Sequence, residues 1–275
     1  MLDLLRAIVL GLVQGTTEFL PISSSAHQRI VASLLGWKDP GAAFTAITQI
    51  GTELAVLVYF RHDLWRIARG WLAALRNPAL RRTADARMGW FIIVATIPIG
   101  ILGYVFKHQI ETGARNLLLI GGTLLVFGLV MGTADANATQ KRTTDELDNR
   151  SGILIGLAQS LALIPGVSRS GATISAGLLL GLTREAAARF SFLLAIPAVL
   201  ASGLFELVKL AGGESPGSDP WWGIALATVI SFVVGYAVIA WFLRYLGHHT
   251  LRLFVAYRVL LGTLVLVLAG ASVIH

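Results

Sequence analysis

Between Gln14 and His27 the chain reads QGTTEFLPISSSAH, placing a carboxylate, three consecutive serines, a histidine and a helix-breaking proline among apolar runs. A carboxylate at bilayer depth costs roughly 2.5–3.5 kcal/mol on insertion scales, so such a group is normally paired or functional. Pro21 frees backbone groups that lipid cannot satisfy. Only a protein-lined, water-accessible space tolerates both. A second such stretch, Pro165-Gly-Val-Ser-Arg-Ser-Gly-Ala-Thr173, follows far along the chain.

The surroundings are those of a membrane. The 275 residues are 55% hydrophobic and only 13% charged, with mean hydropathy +0.73, against about 25% charged in soluble domains. Apolar runs near 20 residues recur, each long enough to cross a roughly 30 Å core. The net charge of +7 is largely loop arginine, which fits membrane orientation and anionic headgroups rather than nucleic acid. The absence of cysteine excludes disulfides, thiolate nucleophiles and thiolate metal sites. Met1 to Arg6 carries one Asp and one Arg, unlike the positive n-region of a cleaved secretory signal.

Read in order, Met1–Val13 is a helix too short to span, and Ile22–Leu35 is a second short helix stopped by Gly36 and Asp39-Pro-Gly41. Two half-length helices around a polar turn predict a re-entrant hairpin. Ala42–Phe60 is a span whose Thr45, Thr48, Gln49, Thr52 and Glu53 form one polar stripe, expected to face protein. The loop Arg61–Arg87 holds seven arginines against Asp63 and Asp85 and reads as cytoplasmic. Spans follow at Met88–Phe106 and Leu117–Thr133, separated by Lys107, His108, Glu111 and Arg115. The polar linker Ala134–Arg150 then divides two halves, about 1–134 and 151–275, of a single integral membrane domain.

The second half repeats the first. Ile153-Leu-Ile-Gly-Leu-Ala-Gln159 matches Ile8-Val-Leu-Gly-Leu-Val-Gln14 and, allowing one deletion, Ile164-Pro-Gly-Val-Ser168 matches Leu20-Pro-Ile-Ser-Ser24. Ile174–Leu182 closes a second hairpin, and spans follow at Ala187–Leu210, Trp221–Leu243 and Leu253–Ile274. The expected fold is an all-α polytopic membrane protein of about six transmembrane helices and two re-entrant hairpins. Three spans per half invert one half relative to the other. The segment Gly212–Pro220, with Glu214 and Asp219 and no base, then falls outside, and both hairpins meet near the midplane, where inverted repeats commonly bind substrate.

Ser168, Arg169 and Ser170 offer hydroxyls and a guanidinium whose planar fork suits phosphate, and Thr173 lies at the mouth of the next helix. Gln14 and Glu18 share a helical face, where Glu18 could hold a hard cation or act as a base. Ser23, Ser24 and Ser25 supply nucleophiles or phosphate contacts, and His27 an acid or base. Glu53 is either an ion-pair partner of Arg169 or an accessory ligand. Arg189 and Arg258 read as snorkelling side chains at inner helix ends, and His62, His248 and His249 as solvated.

Gln14-x-x-x-Glu18, Phe-Leu-Pro-Ile-Ser-Ser-Ser-Ala-His27 and Pro-Gly-Val-Ser-Arg-Ser-Gly-Ala-Thr173 together resemble the undecaprenyl-diphosphate phosphatase (bacitracin-resistance protein) family, over essentially the whole chain. The resemblance implies hydrolysis of undecaprenyl diphosphate to the monophosphate, recycling the lipid carrier of peptidoglycan synthesis. It also implies a bacterial inner-membrane location, a site open to the periplasm, and a divalent cation, Mg2+ or Ca2+. By it, Glu18, Ser24, His27 and Arg169 match the catalytic residues. Many members carry Glu where Gln14 stands, and an apolar residue where Glu53 stands. The metal set expected here is therefore Glu18 with Gln14 and Glu53 as weaker members. The partners are the polyprenyl diphosphate, membrane lipids and, left open, a second copy in a homodimer. A polyprenyl-phosphate flippase using the same groove is the alternative.

Overall fold

A computed structural model describes residues 2–112, 116–212 and 220–274. Twelve α-helices account for most of them: α1 Leu2–Thr17, α2 Ser24–Leu34, α3 Gly41–Tyr59, α4 Arg61–Arg76, α5 Ala84–Val105, α6 Lys107–Thr112, α7 Leu117–Asn137, α8 Asn149–Ser160, α9 Arg169–Leu179, α10 Arg184–Ala211, α11 Trp221–Leu246 and α12 Arg252–Gly270. The one bridging backbone pair, Arg142 with Leu182, joins no strand among these residues. Arg115, Glu214 and Asp219 lie outside the described residues.

Five helices (α5, α7, α10, α11 and α12) are individually long and apolar enough to cross a bilayer. The sixth expected span, α3, passes that test only together with α4, from which it bends by 77°. The supposed loop Arg61–Arg87 is thus mostly helix, a point at which the sequence reading fails. Its apolar residues are too few for a span, but Ile67 and Ala74 are buried on one side while Trp65, Leu72 and Leu75 stay exposed among arginines. That is the pattern of a helix lying along an interface.

The two hairpins are built alike. Each has an 11-residue second helix, α2 or α9. Each such helix is preceded by a serine with positive φ, 73° at Ser23 and 72° at Ser168, and followed by a left-handed glycine, Gly36 or Gly181. These landmarks, like Gln14 and Gln159, lie at one constant offset of 145 positions. No deletion is needed, so Ser24 corresponds to Arg169 rather than to Ser168. The serine-for-serine match misled by one residue, because the backbone places the first residues of α2 and α9 in equivalent positions.

Packing exchanges between the halves. Helix α1 lies on α11 as α8 lies on α5, while α3 meets α10 and α7 meets α12. An aromatic cluster fills the middle: Phe19, beside Glu18, meets Phe192 edge-on at 5.2 Å, and Phe192 lies 6.3 Å from Phe242. At the arginine-rich ends, Arg184 pairs with Asp135 at 2.5 Å and Arg189 with Asp63 at 3.0 Å. Arg189 therefore does not snorkel; a carboxylate holds it. His62, His248 and His249 are exposed, as expected.

Candidate active site between the two hairpins

Helix α1 continues past Val13 to Thr17, and Glu18 N–H still bonds Gln14 O at 3.1 Å. The break therefore falls between Glu18 and Ser23, with Pro21 inside it. The turn brings α2 back so that Ser24 Oγ donates to Glu18 Oε2 at 2.5 Å. Gln14 Nε2 donates to the same oxygen at 2.8 Å. From the other half, Arg169 Nη2 donates to Glu18 Oε1 at 2.9 Å. One buried carboxylate thus joins equivalent residues of the two hairpins, a hydroxyl from one and a guanidinium from the other.

Glu18 is oriented by a directional chain. Thr45 Oγ1 donates to Gln28 Oε1 at 2.7 Å, Gln28 Nε2 to Gln14 Oε1 at 2.8 Å, and Gln14 Nε2 to Glu18. Gln49 Nε2 reaches Glu18 Oε2 at 3.4 Å. The stripe on α3 is buried except at half-buried Gln49, and two of its members, Thr45 and Gln49, belong to this network. Gln28 gave no usable signal in the sequence: an amide among apolar residues becomes meaningful only when its partners are seen.

Of the two roles expected for Glu53, the ion pair with Arg169 is not formed. It is 0% exposed, within electrostatic reach of Arg169 and Glu18, yet neither of its carboxylate oxygens has a hydrogen-bond partner. Arg169 pairs with Glu18 instead, and its own Nη1 is buried without a partner. An unpaired carboxylate and an unpaired guanidinium nitrogen in one apolar interior are costly, and such exceptions cluster where a ligand completes the pairing.

Beside these groups opens a cavity of about 540 Å³, lined by Glu18, Ser23, Ser24, Ser25, Ser168 and Arg169 among others. Ser170 and Thr173 do not line it. Ser170 Oγ donates to Leu20 O at 3.1 Å, tying α9 to the first turn, and Thr173 Oγ1 pairs with Ser191 Oγ at 2.6 Å. Both proposed phosphate contacts are spent on protein. Ser23 and Ser25 on one hairpin, and Ser168 and Ser170 on the other, form matching hydroxyl pairs at 3.4 and 3.1 Å.

His27 lies behind the serines. Its Nδ1 is 2.7 Å from Ser23 O, which can only accept, so that nitrogen carries the proton. Nε2 faces the Tyr257 hydroxyl at 2.7 Å. The side chain that accepts from the Ser24 hydroxyl is Glu18. Tyr257 and its neighbour Arg258, from the last helix, complete the centre; Tyr257 gave no signal in the sequence, and Arg258 reads there as a snorkelling side chain. Arg258 is 0% exposed and bonded throughout to backbone carbonyls. It does not snorkel, because the broken backbone offers it acceptors at depth.

These features define a polytopic helical membrane protein that sets a hydroxyl, a carboxylate and a guanidinium around one cavity lined from both halves of the chain. The family model described as bacitracin resistance protein BacA matches residues 7–264, and the chain belongs to that family. It is 57% identical over 274 residues to an undecaprenyl-diphosphatase of Nocardioides sp., covering 100% of this chain and 99% of the relative. Proteins of the same name from Mycolicibacterium smegmatis and Thermobifida fusca are 55% and 52% identical, covering 98% and 99% of this chain and 98% and 92% of their own lengths.

Proposed function

We infer that this chain hydrolyses undecaprenyl diphosphate to undecaprenyl phosphate and inorganic phosphate. The observation that carries the reading is Glu18, bonded at once to the Ser24 hydroxyl and to Arg169, a cavity-lining residue whose Nη1 has no protein partner. Full-length similarity to undecaprenyl-diphosphatases supports it. A hydroxyl held against a carboxylate favours bond cleavage over flipping, which would require no nucleophile.

In this reading Arg169 takes the terminal phosphate through the planar fork of its guanidinium. Ser24 Oγ attacks that phosphorus while its proton passes to Glu18, and the bond to the bridging oxygen breaks, releasing undecaprenyl phosphate. Water then attacks the phosphoserine and inorganic phosphate leaves, with the Ser24 proton restored from Glu18. Ser168 and Ser23 contribute hydroxyls to the cavity wall, and His27, fixed by Ser23 O, shapes the start of α2.

Glu18 and Glu53 fit a divalent cation, Mg2+ or Ca2+: among the described residues no three acidic or histidine side chains cluster, but Mg2+ commonly takes one or two carboxylates plus substrate phosphate oxygens. Glu53, with two unpartnered oxygens, and Glu18 would hold it, and Gln14, both ends of which are bonded to protein, orients Glu18. Bound there, the cation would neutralise charge on the diphosphate.

The cavity is bordered by the later halves of α5 and α10, including Gly103 and Glu206, and by Lys107 at the start of α6, away from the arginine-rich ends at Ala84 and Arg184. With arginine inside, it opens outward, to the periplasmic side of the bacterial inner membrane, and the polyprenyl tail follows the apolar part of the cavity. Purified protein should release phosphate from undecaprenyl diphosphate, lose the activity with a chelator and regain it with Mg2+ or Ca2+. Absence of phosphate release from competent, folded protein would end the hydrolase reading, and indifference to chelator would end the cation reading.

A further inference from the structure

We propose that Arg258, on α12, is a positioning residue for this reaction, fastening the turns of both hairpins so that Ser24 and Arg169 are held at Glu18; this rests on the site reading above. A guanidinium has five N–H donors, and here five carbonyls receive them. Nε reaches Leu124 O at 3.3 Å, Nη1 reaches Pro21 O at 2.9 Å and Val167 O at 3.1 Å, and Nη2 reaches Gly166 O at 2.8 Å and Thr123 O at 3.5 Å. Two acceptors belong to α7. The other three belong to the breaks themselves, one in the first hairpin and two in the second.

These carbonyls sit just ahead of the two positive-φ serines. Pro21 precedes Ser23 by two residues, and Gly166 and Val167 precede Ser168. A non-glycine residue in that region costs of order 1–3 kcal/mol and persists only where its surroundings hold it. The next residues in the chain are Ser24 and Arg169. One side chain therefore spans the pseudo-equivalent turns at the point where each feeds a catalytic group into the site, and among the described residues its hydrogen bonds go to backbone carbonyls, with none to an acidic side chain. Lysine, with three donors on one atom, cannot reproduce that grip. The bland alternative is that Arg258 only satisfies backbone carbonyls and adds stability.

The two roles separate in kinetics. Misplacing a reacting group by about 1 Å can cost about 10²-fold in rate. Arg258→Lys, purified as a monodisperse protein, should therefore lower kcat on undecaprenyl diphosphate about 10²-fold with KM within about threefold of wild type. Gly262→Ala is the control for stability. It crowds the same α7–α12 contact, its Cβ 2.8 Å from Gly121 O, but touches neither turn. It should melt lower and keep its kcat. Wild-type kcat in Arg258→Lys would overturn the proposal, as would an equal kcat loss in Gly262→Ala. If Arg258→Lys does not fold, Gly128→Ala decides: its Cβ, 3.0 Å from Arg258 Cβ, shifts the side chain without removing it. A kcat-specific loss there supports the role and an unchanged kcat refutes it. Ser24→Ala and Arg169→Lys run alongside, since wild-type turnover in those would indict the site reading rather than Arg258.

Discussion

Glu18 accepts from Ser24, Gln14 and Arg169 at once, so removing its charge removes the proposed base and weakens the tie between the halves together. Glu18→Gln is expected to abolish turnover while leaving a folded protein, since an amide still fills the space; measurable turnover near wild type would contradict its role as base. In the proposed reading, Glu53 would help to hold a divalent cation. Glu53→Gln should weaken Mg2+ binding measured by calorimetry on the purified protein and raise the Mg2+ concentration needed for half-maximal activity, and unchanged affinity would remove Glu53 from the cation site. The motif residues Glu18, Ser24 and Arg169 were legible because charge and hydroxyls at bilayer depth need a reason. The pairing of Glu18 with Arg169, and the isolation of Glu53, were not, because they depend on which faces of α1, α3 and α9 meet. Arg258 was misread for the same cause: a buried arginine and a snorkelling one look identical until the acceptors around them are known.

At the level of elements, the second turn depends on Gly166, whose φ is +89° and whose position would put a Cβ 2.0 Å from Thr123 Oγ1. Thr123 Oγ1 also donates to Pro165 O at 2.6 Å, pinning that turn to α7. Gly166→Ala should therefore displace the start of α9 and cost activity more severely than stability: a large loss of phosphate release in a protein that still purifies as a monodisperse species. A variant with unchanged rate would mean that the turn is not under the constraint described. The hairpins were visible in the sequence through Pro21 and Pro165 and the short flanking runs. Helix α4 was not, because its seven-arginine neighbourhood dominates composition while its buried Ile67 and Ala74 are few. The register of the repeat was also off by one, since identical serines were aligned where equivalent backbone should have been.

Across the whole molecule, helices of the two halves interleave, and the cavity borders the ends of α5 and α10 remote from the arginines. Cysteines introduced singly at Thr83 and Lys107, which flank α5 in this cysteine-free chain, should label from opposite sides, and only Lys107→Cys should react with an impermeant thiol reagent added outside intact cells. Labelling of Thr83→Cys alone would reverse the orientation and close the cavity to the outer face. The span count came close from hydropathy because apolar length is a property of each segment alone. The way the halves exchange partners is a property of surfaces, and no single segment carries it.

The central claim is that Arg169, delivered by the second hairpin to the carboxylate of the first, grips the phosphate as the bond breaks. Phosphate release from undecaprenyl diphosphate by purified Arg169→Lys tests it most directly. Lysine keeps the charge but loses the fork, and loss of one such donor typically costs about 10²–10³ in rate. The expected result is a kcat lower by about that factor with KM little changed. A wild-type kcat in the lysine variant would contradict the account.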